Sequence, residues 1–257
     1  MVTYSLKRSY RLKDLEETDF KDLWGNYGIF TTMWIFGKPP KILFFENHIK
    51  NLIKSLQIFG IKKRSLKKDI LKIINKNLSI NKKYNHLLRI AINKKIISIS
   101  LRDRIPPKLD FNLKLVNLKR EKPQHKNLKY KKILSYLTKM DNSKSDIALI
   151  YNKKILETGT SNLLFIKNKK IYSPKKDYYE GNTYKFFKSK FKKILKKDIL
   201  INELHNYDEI LLIGSGKGVV PVKTIKEIGW KRKNLNQYKI FAKYYRSAIT
   251  ECNHHRF

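Results

Sequence analysis

Apolar residues in this chain fall into short dense runs, and their spacing predicts alternating strands and helices. GIFTTMWIF, from Gly28 to Phe36, is rich in β-branched and aromatic residues and predicts a strand. GKPP at 37–40 predicts a turn, and KILFF behind it a second strand. From His48 to Ile61, the residues Ile49, Leu52, Ile53, Leu56 and Phe59 line one face of a helix. A second helix over about 68–78 carries Ile70, Leu71, Ile73, Ile74 and Leu78. HLLRIAI and IISISLR form a hairpin around 93–95. RDRIPPKLD at 102–110 is the best linker, because Pro106-Pro107 continues neither a strand nor a helix.

The second part opens on FNLKLVNL, a strand with Phe111, Leu113 and Leu115 on one side, and a short helix over about 128–139 follows. DIALIYN, KILE, LLFIK and NKKIYSP read as strands. A helix from Thr183 to Leu195 places Phe187, Phe191 and Ile194 together. DEILLIG and VVPVKTI are strands around the turn GSGKG, and a last helix over about 235–251 turns Tyr238, Phe241, Tyr245, Ala248 and Ile249 inward. The expected architecture is α+β: two sheet-containing domains, a smaller one over 1–105 and a larger one over 106–257, with the cleft between them as the default ligand site.

Charge changes this picture less than its size suggests. The 58 basic residues exceed the 21 acids by 37, but 48 of them are lysines spread over every segment. Base reading in nucleic acids leans on arginine, of which there are ten, and on localised motifs, none of which appears, so nucleic acid is not expected as a partner. A single cysteine, Cys252, excludes an internal disulfide and a cysteine-based zinc cluster. The start, MVTYSLKRSYRLKDLEE, has no apolar run of signal-peptide type, and no stretch approaches the ~18 residues that cross a bilayer. These features predict a soluble cytoplasmic protein without a membrane partner.

No single residue identifies the chemistry. HExxH, phosphate-loop, GxSxG and GxGxxG motifs are all missing. His48 and His86 are lone histidines on structured segments, and the His254-His255 pair beside the terminus has no expected role. Order and spacing carry more. HKNLKY at 125–130, ETGTSNLLF at 157–165, IYSP at 171–174, EGNTY at 180–184 and DEILLIGSGKGVVPV at 208–222 follow one another as in the class IV aminotransferases. GIFTT at 28–32 and FFENHIKNL at 44–52 extend the match to the first part. The chain therefore resembles that family, the fold-type-IV enzymes that use pyridoxal 5'-phosphate.

The resemblance implies roles residue by residue. Lys126 takes the place of the lysine that holds the cofactor and moves protons at the substrate, with Lys129 as the fallback and Tyr130 near the cofactor's phenolic oxygen. Glu157 takes the place of the carboxylate that keeps the pyridine nitrogen protonated. Thr158, Gly159, Thr160, Ser161 and Asn162 form a small-residue turn where the family's chain passes close to the cofactor. Gly181-Asn182-Thr183 opens a helix whose N-terminus suits a phosphate, and Gly214-Ser215-Gly216 forms the second phosphate turn. One position departs: His48-Ile-Lys-Asn51-Leu has Asn51 where the family carries a phosphate-binding arginine, with Lys50 or Lys54 as substitutes. The pattern Gly28-Ile-Phe-Thr31-Thr32 resembles 4-amino-4-deoxychorismate lyase more than the transaminases, which have glutamate after the aromatic residue. Thr31 and Thr32 are then expected on the substrate side, and the family implies a homodimer.

Overall fold

The structure is a computed structural model and describes residues 3–253. The His254-His255 pair lies outside them. The chain divides into two units. Residues up to Arg104, 125–131 and from Ile249 onward form the first, and 105–124 with 132–248 form the second. The segment 125–131 thus packs with the first unit, although its place in the chain put it in the second.

The first unit is built on a six-stranded sheet of β1 (Tyr4–Arg11), β2 (Glu17–Thr18), β3 (Gly28–Gly37), β4 (Lys41–Ile42), β5 (Tyr84–Asn93) and β6 (Ile96–Asp103). Its order is β2-β1-β6-β5-β3-β4, antiparallel throughout. Alternate residues point to opposite faces. Ile29, Met33 and Ile35 of β3 join Leu88, Ile90 and Ile92 of β5 in the core. Helices α1 (Phe45–Ile58) and α2 (Leu66–Asn77) complete that core with Ile49, Leu52, Leu56, Ile70, Ile73 and Ile74. KILFF is a strand only over its first two residues. Phe44 adopts a left-handed backbone (φ 57°), which turns the chain into α1 three residues before the expected start.

Segment 126–128 lies along β3 beyond the reach of β4. Phe30 N–H donates to the Lys126 carbonyl (2.8 Å), and Leu128 N–H donates to the Gly28 carbonyl (2.9 Å). A side chain on Gly28 would collide with the Ile92 carbonyl and the Leu128 methyl group, so this close approach needs glycine. With its backbone engaged here, the chain enters α3 (Lys131–Leu137) later than periodicity alone predicts.

The second unit is built on β7 (Phe111–Asn117), β8 (Ser145–Tyr151), β9 (Lys154–Thr158), β10 (Asn162–Lys167), β11 (Lys170–Pro174), β12 (Ile194–Lys197), β13 (Ile199–Leu200), β14 (Glu209–Gly214), β15 (Gly218–Ile225) and β16 (Trp230–Lys231). They make one mixed sheet, β12-β11-β10-β14-β15-β7-β8-β9-β13, with β16 on β15. The pairs β7/β8, β7/β15 and β11/β12 are parallel. Phe111, Phe165, Ile210, Leu212, Val222 and Trp230 are among its core residues. Helix α4 (Asn182–Lys190) ends five residues before Leu195. Phe191 turns extended and stacks on Phe241 of α5 (Asn236–Thr250) at 4.3 Å, and Ile194 pairs with Ile171 in β12. Among the described residues, no helix is long and apolar enough to cross a membrane.

Candidate functional site

In the first unit, four of the expected residues gather at the start of β3. Lys126 is half-buried, with Nζ 5.1 Å from the centre of the Phe30 ring. Lys129 is exposed, and its backbone N–H donates to Asn127 Oδ1. Of the two lysines, Lys126 is the more buried. Tyr130 is buried, stacked at 5.7 Å on Trp24 and edge-on to Phe30.

Thr31 and Thr32 do not share a side, because neighbouring strand residues leave on opposite faces. Thr31 is buried, with Oγ1 2.7 Å from Nδ1 of His48 on α1. Burial, with the positive charge of Lys126 adding to it, pushes the His48 pKa down to about 3. His48 is therefore a neutral core imidazole that orients the Thr31 hydroxyl. Thr32 pairs in register with Arg89 of β5. Arg89 is buried and was not anticipated. It lies 4.4 Å over Trp24, donates to Ser100 Oγ and Asp22, and keeps Nη1 buried without a hydrogen-bond acceptor. Asn51 is half-buried one turn beyond His48 on α1, and Lys50 and Lys54 are exposed.

The second unit brings the remaining expected residues together. Glu157, at the end of β9, is buried and takes a two-pronged hold from Arg120: Nε to Oε1 at 2.6 Å and Nη2 to Oε2 at 3.1 Å. Arg120 also donates to the Pro123 carbonyl, and the Tyr179 N–H donates to Glu157 Oε2. The carboxylate is thereby fixed in plane and direction. Burial pushes the neighbouring Tyr179 phenol up to about 12.

The turn after β9 is knotted by Asp146, which is fully buried on β8. Asp146 accepts from the hydroxyls of Thr158 (3.1 Å) and Thr160 (2.6 Å), and Lys217 Nζ stands 3.8 Å away. Thr158 Oγ1 in turn accepts from the Ser161 N–H at 2.8 Å. Ser161 Oγ lies 2.9 Å from the position a Cβ on Gly214 would take, so the two turns close on each other. Asn162 clamps the chain ahead of α4, donating to the Tyr179 carbonyl and accepting from the Gly181 N–H. Its observed work is to position that turn. Asn182 and Thr183 are buried at the start of α4, where the first N–H groups have no acceptor inside the helix. Thr183 Oγ1 and Ser215 Oγ, from the two expected phosphate turns, come within 3.5 Å of each other. Gly216 is half-buried in the same turn as Ser215.

Arg120, Asp146 and Arg89 escaped the sequence reading. Each is a lone charged residue whose importance lies in burial and in a partner distant in the chain. Arginine itself was the available signal: with only ten in the chain, one six residues before Lys126 merited a partner.

The family model for class IV amino-transferases matches residues 28–225. Solved structures share the fold at low identity. The branched-chain aminotransferase of Thermoproteus uzoniensis is 16% identical, with a TM-score of 0.76 and 95% of each chain covered. A hypothetical aminotransferase from Mycobacterium tuberculosis, in a PLP-bound form, is 13% identical with a TM-score of 0.68, over 95% of this chain and 99% of its own. A candidate 4-amino-4-deoxychorismate lyase from Legionella pneumophila is 17% identical with a TM-score of 0.68, over 86% of this chain and 91% of its own. A search of curated proteins found no match.

Proposed function

We propose that this chain, which belongs to the class IV amino-transferase family, is a pyridoxal 5'-phosphate enzyme that releases pyruvate from 4-amino-4-deoxychorismate and leaves 4-aminobenzoate, a step in folate synthesis. The observation that carries the cofactor reading is the meeting of Thr183 and Ser215, 3.5 Å apart, on the unit that also presents Glu157. The residues present fit the group. A helix N-terminus and two hydroxyls suit a phosphate. A carboxylate held rigid by Arg120 suits a ring nitrogen that must stay protonated. When bound, the cofactor supplies an electron sink for the bonds next to the substrate nitrogen.

The chain's own residues do the rest. Lys126 is the group that holds the cofactor and moves the proton at the substrate carbon. Glu157 orients the ring, and the turns of Thr160, Ser161, Asn182, Thr183, Ser215 and Gly216 seat it. Thr32, on the face of Arg89, is the threonine assigned to the substrate, and Thr31, on the opposite face with its hydroxyl on His48, holds the strand against α1. Arg89 offers a buried cation suited to a substrate carboxylate. Asn51 offers no charge where the family has arginine, so more of the phosphate's hold falls to α4 and the two hydroxyls.

The Gly28–Thr32 pattern supports the lyase. A transaminase of branched-chain or D-amino acids is the second reading, favoured by the fold shared with the Thermoproteus enzyme. Incubating the purified protein with aminodeoxychorismate, and in parallel with amino acids and a 2-oxo acid, separates the two. Pyruvate and 4-aminobenzoate without amino transfer support the lyase; amino transfer without pyruvate release overturns it. We further infer a cytoplasmic homodimer that acts on small molecules and has neither nucleic acid nor a membrane as partner.

A further inference from the structure

A pocket of about 160 Å³ opens in the second unit at the start of β9, and its lining includes none of the residues proposed to hold the cofactor. Its apolar lining comes from Ile155, Leu156 and Pro174, and Tyr151, an exposed aromatic, contributes to its wall. Four lysines line it: Lys119, Lys154, Lys175 and Lys176. Glu157, the residue after Leu156, is not part of the lining, and its carboxylate is taken by Arg120.

Lysine is abundant enough in this chain that lysines at a pocket mean little by number. Their arrangement means more. Asp177 pairs with Lys119 at 2.9 Å, and Asp198 pairs with Lys154 at 2.6 Å, so each aspartate of the lining is engaged. These pairs hold two lysines in place. Lys175 and Lys176 are exposed and belong to no ion pair among the described residues. The lining therefore has a net surplus of two positive charges around an apolar floor. An apolar cavity of about 150 Å³ holds one benzene ring, so the volume suits a single ring. The surplus charge suits a doubly charged group at the mouth.

We propose that this pocket is a second binding site, for a small phosphate-bearing molecule whose flat apolar part is about one ring in size. The ring lies against Tyr151 and the floor, and the phosphate meets Lys175 and Lys176. The proposal stands independently of the reaction assigned to the chain.

Calorimetric titration of the purified full chain with phenyl phosphate tests it, with inorganic phosphate and phenol as partial probes. Phenyl phosphate is expected to bind more tightly than either part. The Lys175→Ala/Lys176→Ala variant is expected to bind it about ten-fold more weakly, as is Tyr151→Ala. A Lys82→Ala/Lys83→Ala variant removes the same charge from the first unit and is expected to leave the affinity unchanged. Equal losses in both double variants would mean that the general field of the chain attracts the probe, and would overturn the site. Loss of binding in Ser215→Ala, with the lysine variant unaffected, would place the probe in the cofactor's phosphate turn and also overturn it. No binding of phenyl phosphate at millimolar concentration would do the same.

Discussion

At the scale of single residues, Glu157 has two duties that can be told apart. It is one half of a buried ion pair with Arg120, and it is the proposed partner of the cofactor ring. Breaking a buried pair costs about 3–5 kcal/mol, and Glu157→Gln belongs in that range, because the amide leaves the Arg120 charge uncompensated and turns a donor toward N–H groups that both carboxylate oxygens now accept. Turnover per cofactor-loaded molecule should fall by roughly 10²–10³-fold, the scale of losing one preorganised electrostatic partner. A loss of melting temperature with turnover intact would leave Glu157 a structural acid only. His48 makes a different prediction. Its folded pKa of about 3 lies below the unfolded value of 6.5. Between those limits the unfolded chain binds more protons, so stability falls as the pH drops through that window, by up to about 1.4 kcal/mol per pH unit. His48→Gln should flatten that slope in acid unfolding; an unchanged slope would place the titration elsewhere. Glu157, Thr183 and Ser215 can be nominated from the sequence because each sits inside a spaced motif. Arg120, Asp146 and Arg89 cannot, because a lone charge in a lysine-rich sequence does not reveal that it is buried.

At the scale of elements, the placing of Lys126 depends on a strand edge rather than on its own segment. The 126–128 backbone is held by β3, and Gly28 permits the approach. Gly28→Ala should push this segment outward, destabilise the fold by about 1–3 kcal/mol through overpacking, and weaken cofactor binding. Equal cofactor affinity in Gly28→Ala and the wild type would show that the edge contact does not position the lysine. Most strands and helices followed from periodicity, and the misses share a cause. Strand β1 was not anticipated, because Lys7, Arg8, Ser9 and Arg11 dilute its apolar signal and only pairing with β6 reveals it. Helix α4 is shorter than its periodicity predicts, because Phe191 and Ile194 fit a helical face but are taken by stacking and strand pairing. Local pattern proposes an element; tertiary partners set its ends.

At the scale of the whole molecule, the family assignment joins residues that lie far apart in the chain and in two separately built units. Lys126 belongs to the first unit, and Glu157 and the two turns proposed for the phosphate belong to the second. A surplus of 37 positive charges surrounds both and favours anionic ligands without choosing among them. Specific cofactor capture must therefore be separated from general attraction of phosphates by lysines. Borohydride reduction of the protein with pyridoxal phosphate, followed by peptide mapping, does so, because reduction makes the link permanent at whichever lysine carries it. The cofactor is expected on Lys126, and Lys126→Ala should abolish the label while Lys129→Ala largely keeps it. Label on Lys129, or scattered over many lysines with none favoured, would contradict the account.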